Sequence, residues 1–305
     1  MVQVRVVHTT DYRYARPVRL TPHRLMLRPR DSHDLRLLDA TLGLTPAAAE
    51  IRWSHDVFAN SIATVTFAEG ETDALRITSS LDLEHFPVAT ELVLEPAAET
   101  YPFSYAVEEM PDLSRLAERH CSDPDRAVDR WARRFLKSNG RTGTLDLLVA
   151  MTEAIKADFT YAAREEEGTN LPTVTLATKS GACRDFALLM MEAARGLGFA
   201  ARFISGYLYD PAPPDGTQAM VGGGATHAWC AIYLPGAGWV EFDPTNGLIA
   251  GANLIRVSVA RMPDQAVPVA GGYIGDPRDV LGLVVDVAIA VGPPQGELPG
   301  LFAPN

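Results

Sequence analysis

The hydrophobic period changes twice along this chain, and the order of those changes constrains its fold more than any other feature. Up to about Glu95, apolar residues alternate with polar ones: Val2, Val4 and Val6, then Leu25 and Leu27, then Leu35 and Leu37. A period of two is the pattern of half-buried strands. Arg16-Pro17, Arg28-Pro29-Arg30-Asp31, Thr45-Pro46 and Glu69-Gly70 supply turn material between the runs, and Ile62–Phe67 and Leu75–Leu83 read as further strands. Short strands at this spacing predict an antiparallel β-sandwich. After Pro102 apolar residues fall three and four apart, predicting helices over Asp112–Cys121, Asp125–Leu136 and Thr144–Ala157, each opening near Asp or Thr. From Ile204 onward strands return, joined by the Pro- and Gly-rich segment Asp210–Gly224. The expected architecture is α+β in two domains. Residues 1–98 form the sandwich, and residues 99–305 form a domain with helices to about 198 and antiparallel strands after it. A length of 305 residues agrees, being more than one ordinary core fills.

Composition narrows the function classes. With 47% hydrophobic and 21% charged residues the chain is that of a folded globular protein. Lys+Arg number 27 and Asp+Glu 38, a formal net charge of −11, and no basic cluster stands out. That balance argues against nucleic acid or an anionic membrane as partner. Three cysteines, Cys121, Cys183 and Cys230, are too few for a disulfide framework. There is no CxxC and no His pair four apart, so zinc has no ligand set. Met1–His8 alternates in polarity rather than forming the apolar core of a signal peptide. The longest apolar stretch, Val280–Val291, contains Asp286 and is too short to span a bilayer. A reducing, cytoplasmic setting is the expectation.

The most informative segment is Lys179-Ser180-Gly181-Ala182-Cys183-Arg184-Asp185-Phe186-Ala187. Ser180 is a good N-cap, and the apolar run to Gly196 reads as a helix ending at Gly196 and Gly198. Cys183 then lies in the first turn, where unpaired N–H groups and the positive dipole end favour a thiolate and can hold an oxyanion. A buried free cysteine acting as a small hydrophobe is the other reading, and the residue alone leaves the two even.

A thiolate nucleophile needs a base, and the base needs a partner that orients it. Ala225–Leu234 reads as a strand beginning at His227, Pro235–Gly238 as a turn, and Trp239–Pro244 as the returning strand. The five-residue loop Leu234–Gly238 sets Tyr233 opposite Trp239 and puts His227 on the face of Asp243, as its diagonal neighbour. A slip of one residue would place the two on opposite faces. Singly, His227 is as readily a strand-end histidine and Asp243 an Asp-Pro turn initiator. Together with Cys183, in this chain order, they form the Cys–His–Asp template.

These motifs resemble those of the bacterial transglutaminase-like superfamily, whose core is a papain-like cysteine-hydrolase fold. Cys183 stands in Gly181-x-Cys183-x-Asp185-Phe186-Ala187, His227 in His227-Ala228-Trp229, and Asp243 in Gly238-Trp239-x-x-Phe242-Asp243-Pro244-Thr245-Asn246-Gly247. Ile204-Ser205-Gly206-Tyr207 is similar to a strand of the same family. His8-Thr9-Thr10-x-Tyr12-x-Tyr14, Pro17-Val18 and Leu27-Arg28-Pro29-Arg30 resemble the β-sandwich that precedes the core in one bacterial subgroup. The resemblance implies Cys183 as nucleophile, His227 as base and then acid, and Asp243 as the residue orienting His227, with no metal or organic cofactor. It implies attack on an amide or isopeptide carbonyl of a peptide or protein substrate through a thioester. Hydrolysis comes first because water is always present. Transfer to an amine, or a non-catalytic scaffold keeping the fold, are the alternatives. Arg184, Leu188 and Ala260-Arg261-Met262 depart from the family pattern and bear on substrate preference. Tyr161, in Phe159-Thr160-Tyr161, matches a family aromatic before the Cys motif, where it packs in the core or at the rim, or else lines the site or donates to the oxyanion.

Among the remaining candidates, Gly222-Gly223-Gly224 lacks the Lys-Ser/Thr of a P-loop and suits a hinge, and no Gly-x-Ser-x-Gly elbow occurs. His120 reads as a helix end, Glu165-Glu166-Glu167 as a solvated loop, and Cys230 as core on the strand face opposite His227.

Overall fold

A computed structural model of the chain describes residues 1–292 apart from 87–91, 139, 165–166, 210–219, 222, 250 and 252. Much of the connection expected over Asp210–Gly224, with Gly222 of the glycine triplet, and Glu165 and Glu166 of the acidic run lie outside the described residues.

The alternating N-terminal pattern forms two antiparallel sheets. In the first, the strand Val2–Leu20 pairs with Thr72–His85, which pairs in turn with Leu35–Thr45. The second runs Val269–Ala270, His23–Leu25, Ser61–Phe67, Ala48–His55. Leu25, Leu27, Ala63 and Val65 of the second sheet bury themselves against Leu75 and Ile77 of the first. This closes the expected sandwich.

One domain boundary is corrected. The expected second domain, 99–305, loses its last part to the sandwich. Val280–Val291 is a strand pairing along the free side of Val2–Leu20, from Val4↔Val291 to Tyr14↔Val280. Val269–Ala270 and Tyr273–Ile274 likewise join the N-terminal sheets. An apolar run of this length satisfies its backbone through a neighbouring strand, and nothing local states which neighbour that is.

The middle of the chain carries helices Met110–Ala117, Ala127–Arg133 and Thr144–Asp158, close to the expected three, and a further short helix, Pro172–Thr178. Helix Cys183–Gly196 is buried nearly all round, as a helix at the centre of a domain must be. On one side it meets Leu147, Leu148, Met151 and Ile155, and on the other Cys230, Ile232 and Phe242 of an antiparallel sheet. That sheet has the order Leu248–Ile249, Gly238–Asp243, His227–Leu234, Ala201–Leu208, Leu254–Ala260. No helix among the described residues is long and apolar enough to cross a membrane.

The two halves share a core. Val4, Val6, Leu81 and Leu83 pack against Tyr207, Tyr209, Ile255 and Val257. Two buried imidazoles satisfy two tyrosines across the junction, His8 Nδ1 with the Tyr207 hydroxyl at 3.0 Å and His85 Nδ1 with the Tyr209 hydroxyl at 2.8 Å. Asn60 pairs with both backbone groups of Val259 (2.6 and 2.8 Å), occupying an edge of the third sheet that would otherwise be open.

Candidate active site

Cys183 lies in the first turn of the buried helix, as its sequence context predicts, but it is the first residue there because the cap differs from the expected one. Ser180 and Gly181 form a short strand parallel to Thr160–Tyr161, and extended Ala182 precedes the helix. Ser180 is therefore not the N-cap. The N-cap is Ala182, which has no side-chain acceptor, and buried Asp185, the third helical residue, reaches back so that its Oδ2 accepts from the Ala182 N–H at 2.9 Å. Its Oδ1 accepts from the Asn170 N–H at 2.7 Å and from Arg164 at 3.1 Å. Ser180 lies too early to cap because pairing with Thr160–Tyr161 carries the strand through Gly181, and the helix starts only at Cys183. Gly181 is required by closeness, since a Cβ there would sit 2.9 Å from the Cβ of Asp185.

Tyr161 is half-buried opposite Gly181 in that pairing. Burial raises its phenol pKa, the nearby Cys183 and Asp243 add to the rise, and Arg184 opposes it. The structure thus puts Tyr161 in the same electrostatic neighbourhood as Cys183 and Asp243.

The hairpin takes the expected register, with Tyr233 opposite Trp239 and Cys230 opposite Phe242. His227 and Asp243 consequently share a face, and His227 Nε2 lies 2.8 Å from Asp243 Oδ2, both side chains shut off from solvent. A carboxylate only accepts, so Nε2 carries the hydrogen. The other ring nitrogen, Nδ1, is buried and has no hydrogen-bond partner among the described residues. Burial works against a charged imidazole, but Asp243, by charge and hydrogen bond, and Cys183 outweigh it, and the pKa of His227 is raised to about 10. Asp243 moves the opposite way. Burial would raise it, yet His227, Asn246 and the Thr245 N–H hold it below the usual carboxylate range. Each member of the pair thus favours the ionised form of the other, and Nδ1 is the ring nitrogen not engaged by Asp243.

Residues with no role assigned from the sequence complete the frame. Asn246 Nδ2 donates to Asp243 Oδ2 at 2.8 Å and to the Val221 carbonyl at 3.0 Å, while its Oδ1 accepts from the Val221 N–H. It ties the segment before His227 to the carboxylate. Trp229 lies near-parallel to His227, ring centroids 5.9 Å apart, and its indole N–H donates to Glu241 Oε2 at 2.9 Å. The hairpin register contained that second signal, because Glu241 lies on the face of Asp243 and diagonal to Trp229. Of the other cysteines, Cys230 is fully buried core, as expected, and Cys121 is partly buried beside Glu192. His120 bonds back to the Arg115 carbonyl, a local role. No cluster of three potential metal ligands exists among the described residues.

Comparison with known proteins places both halves. The family profile "Bacterial transglutaminase-like N-terminal region" matches residues 4–84, and "Transglutaminase-like superfamily" matches residues 130–244, together well over half of the chain. An uncharacterized protein of Mycobacterium tuberculosis is 29% identical over 306 residues, covering 96% of this chain and 93% of its own. A solved structure from Cytophaga hutchinsonii, described as a candidate cysteine protease, has a TM-score of 0.67 at 17% identity, covering 94% of this chain and 90% of that one, a likeness of fold. A protein-glutamine gamma-glutamyltransferase of Pseudomonas aeruginosa is 35% identical over 68 residues, 22% of this chain and 10% of that protein.

Proposed function

Since the chain belongs to the transglutaminase-like superfamily, we propose that it is a cysteine-dependent hydrolase of amide or isopeptide bonds in a peptide or protein substrate. The observation that carries the reading is the buried His227–Asp243 pair, which leaves Nδ1 unbonded in the field of Cys183 at a helix start. In the proposed cycle the thiol proton passes to Nδ1 and the sulfur attacks the carbonyl carbon. N–H groups of the first helical turn hold the oxyanion. The carbon–nitrogen bond breaks as His227 returns the proton to the leaving amine, and a thioester remains on Cys183. Water, giving a proton to His227, then releases the acid and restores the thiol. Asp243 keeps the imidazole in one tautomer throughout, and Tyr161 lines the rim.

The short match to a glutamyltransferase favours a second reading, in which an amine replaces water in the last step. The three free thiols suit a reducing compartment, and cytoplasmic location is part of the proposal. The test offers a broad peptide and isopeptide library to wild type and Cys183→Ala, following both hydrolysis and amine incorporation. Release that depends on Cys183 supports the hydrolase, and amine incorporation alone supports transfer. With neither, and with Cys183 alkylating no faster than Cys121 and Cys230, the chain is a scaffold.

A further inference from the structure

A line of charged and aromatic side chains runs from the N-terminal sandwich to the proposed base. Asp34, just before the strand Leu35–Thr45, accepts through both oxygens from Arg256 Nη2, each at 3.1 Å. Arg256 Nη1 donates to Glu241 Oε1. The other oxygen of Glu241 accepts the Trp229 indole N–H, and the Trp229 ring lies along His227. On the strand beside Trp229, Gly206 pairs with both His227 and Arg256, and a Cβ on it would meet the indole at 2.8 Å and the Ile255 carbonyl oxygen at 2.0 Å. The ring is thus enclosed by Gly206 on one side and His227 on another, and Glu241 sets its rotation.

We propose that the sandwich is a working part of the site: Asp34 holds Arg256, Arg256 holds Glu241, and Glu241 fixes Trp229 against His227. These four are positioning residues for the base, and the inference rests on His227 being the base. The physical reason is the cost of burial. A carboxylate buried as Glu241 is needs its charge matched and its lone pairs bonded. Arg256 supplies the charge from Leu254–Ala260, across the two intervening strands of the sheet, and its second terminal nitrogen needs an anion of its own. Asp34 provides it from outside the catalytic half. Around His227 itself the charged and titratable groups are Asp243 and Cys183, with Tyr161 beyond them and Glu241 and Arg256 behind Trp229.

The test reads the rate of Cys183 alkylation by iodoacetamide against pH in the full chain, resolved from the other thiols by peptide mass spectrometry. It needs no substrate. Asp34 is partly exposed at the junction, so Asp34→Asn keeps the fold, and the thermal midpoint checks this. Asp34→Asn and Trp229→Phe should each slow alkylation at neutral pH about tenfold and move the midpoint of its pH profile. The double variant should be no slower than the slower single one, because both act through one chain of contacts. Asp34→Glu, which keeps the charge, should recover most of the wild-type rate. Unchanged pH midpoints in both single variants, or effects that simply add, would overturn the proposal even if thermal stability fell. A His227→Ala profile identical to wild type would overturn instead the assignment of the base.

Discussion

His227 Nε2 and Asp243 Oδ2 stand 2.8 Å apart with both side chains out of reach of water. The carboxylate also accepts from the Thr245 N–H and Asn246 Nδ2. In Asp243→Asn one amide oxygen can keep the Thr245 bond and hence the Asp-Pro turn, but the amide nitrogen then meets two donors, His227 Nε2–H and Asn246. Turnover should fall by up to about four orders of magnitude, as when a triad carboxylate is made neutral in serine proteases. The thermal midpoint should fall modestly. Steady-state turnover beside a melting curve measures both, and near-wild-type turnover would remove Asp243 from the site.

Thiol reactivity should separate the three cysteines. Burial, with Glu192 nearby, pushes the Cys121 thiol up to about 11, and burial, with Asp243 nearby, pushes the fully buried Cys230 higher still. Neither presents a thiolate near neutral pH. Cys183 should therefore be alkylated first in the native protein, and His227→Ala should slow it. Peptide mass spectrometry after brief labelling at pH 7 decides the order, and equal labelling of the three would count against a nucleophile.

The junction between the halves should be acid-sensitive. Burial lowers the pKa of His8 from 6.5 to about 4 in the folded protein. Between those values the unfolded chain binds the extra proton, so stability is full above about pH 6.5 and declines as pH falls toward 4. The maximum loss from this group is about 3 kcal/mol. His23 and His85, also lowered by burial, act in the same direction. The fall in urea-unfolding free energy from pH 6.5 to 4.5 should be smaller in His8→Gln than in wild type. Parallel pH curves would show that His8 does not carry the effect.

Gly206→Ala should be among the costliest single changes in the chain. The new methyl would overlap the Ile255 carbonyl and press on Trp229, neither of which is the free end of a flexible side chain. A loss of about 3 kcal/mol or more is expected, and any folded protein recovered should alkylate Cys183 slowly. A thermal midpoint within a degree or two of wild type would refute the close approach.

What the sequence determined by itself was local. The alternation in Val2, Val4 and Val6, the five-residue loop at Leu234–Gly238 and the cysteine early in an apolar helix each depend on neighbours a few residues away, so strand and register could be read directly and the helix start to within a turn. His227 and Asp243 came together for that reason: sixteen residues apart, they are joined by one hairpin whose turn sets the face of both. Only the tertiary structure decided the rest. The cap fell on Ala182, with Asp185 reaching back to its N–H, rather than on Ser180, because Thr160–Tyr161, twenty residues upstream, drew Ser180 and Gly181 into a strand. Val280–Val291 joined the first sheet because its backbone needed a partner, and a period of apolar residues says that a segment is buried or paired but not with what. The line from Asp34 through Arg256 and Glu241 to Trp229 spans more than two hundred residues of chain. Lone charged residues leave no periodic trace in a sequence, and whether one lies in solvent or completes a buried network depends on which surfaces the folded halves bring together.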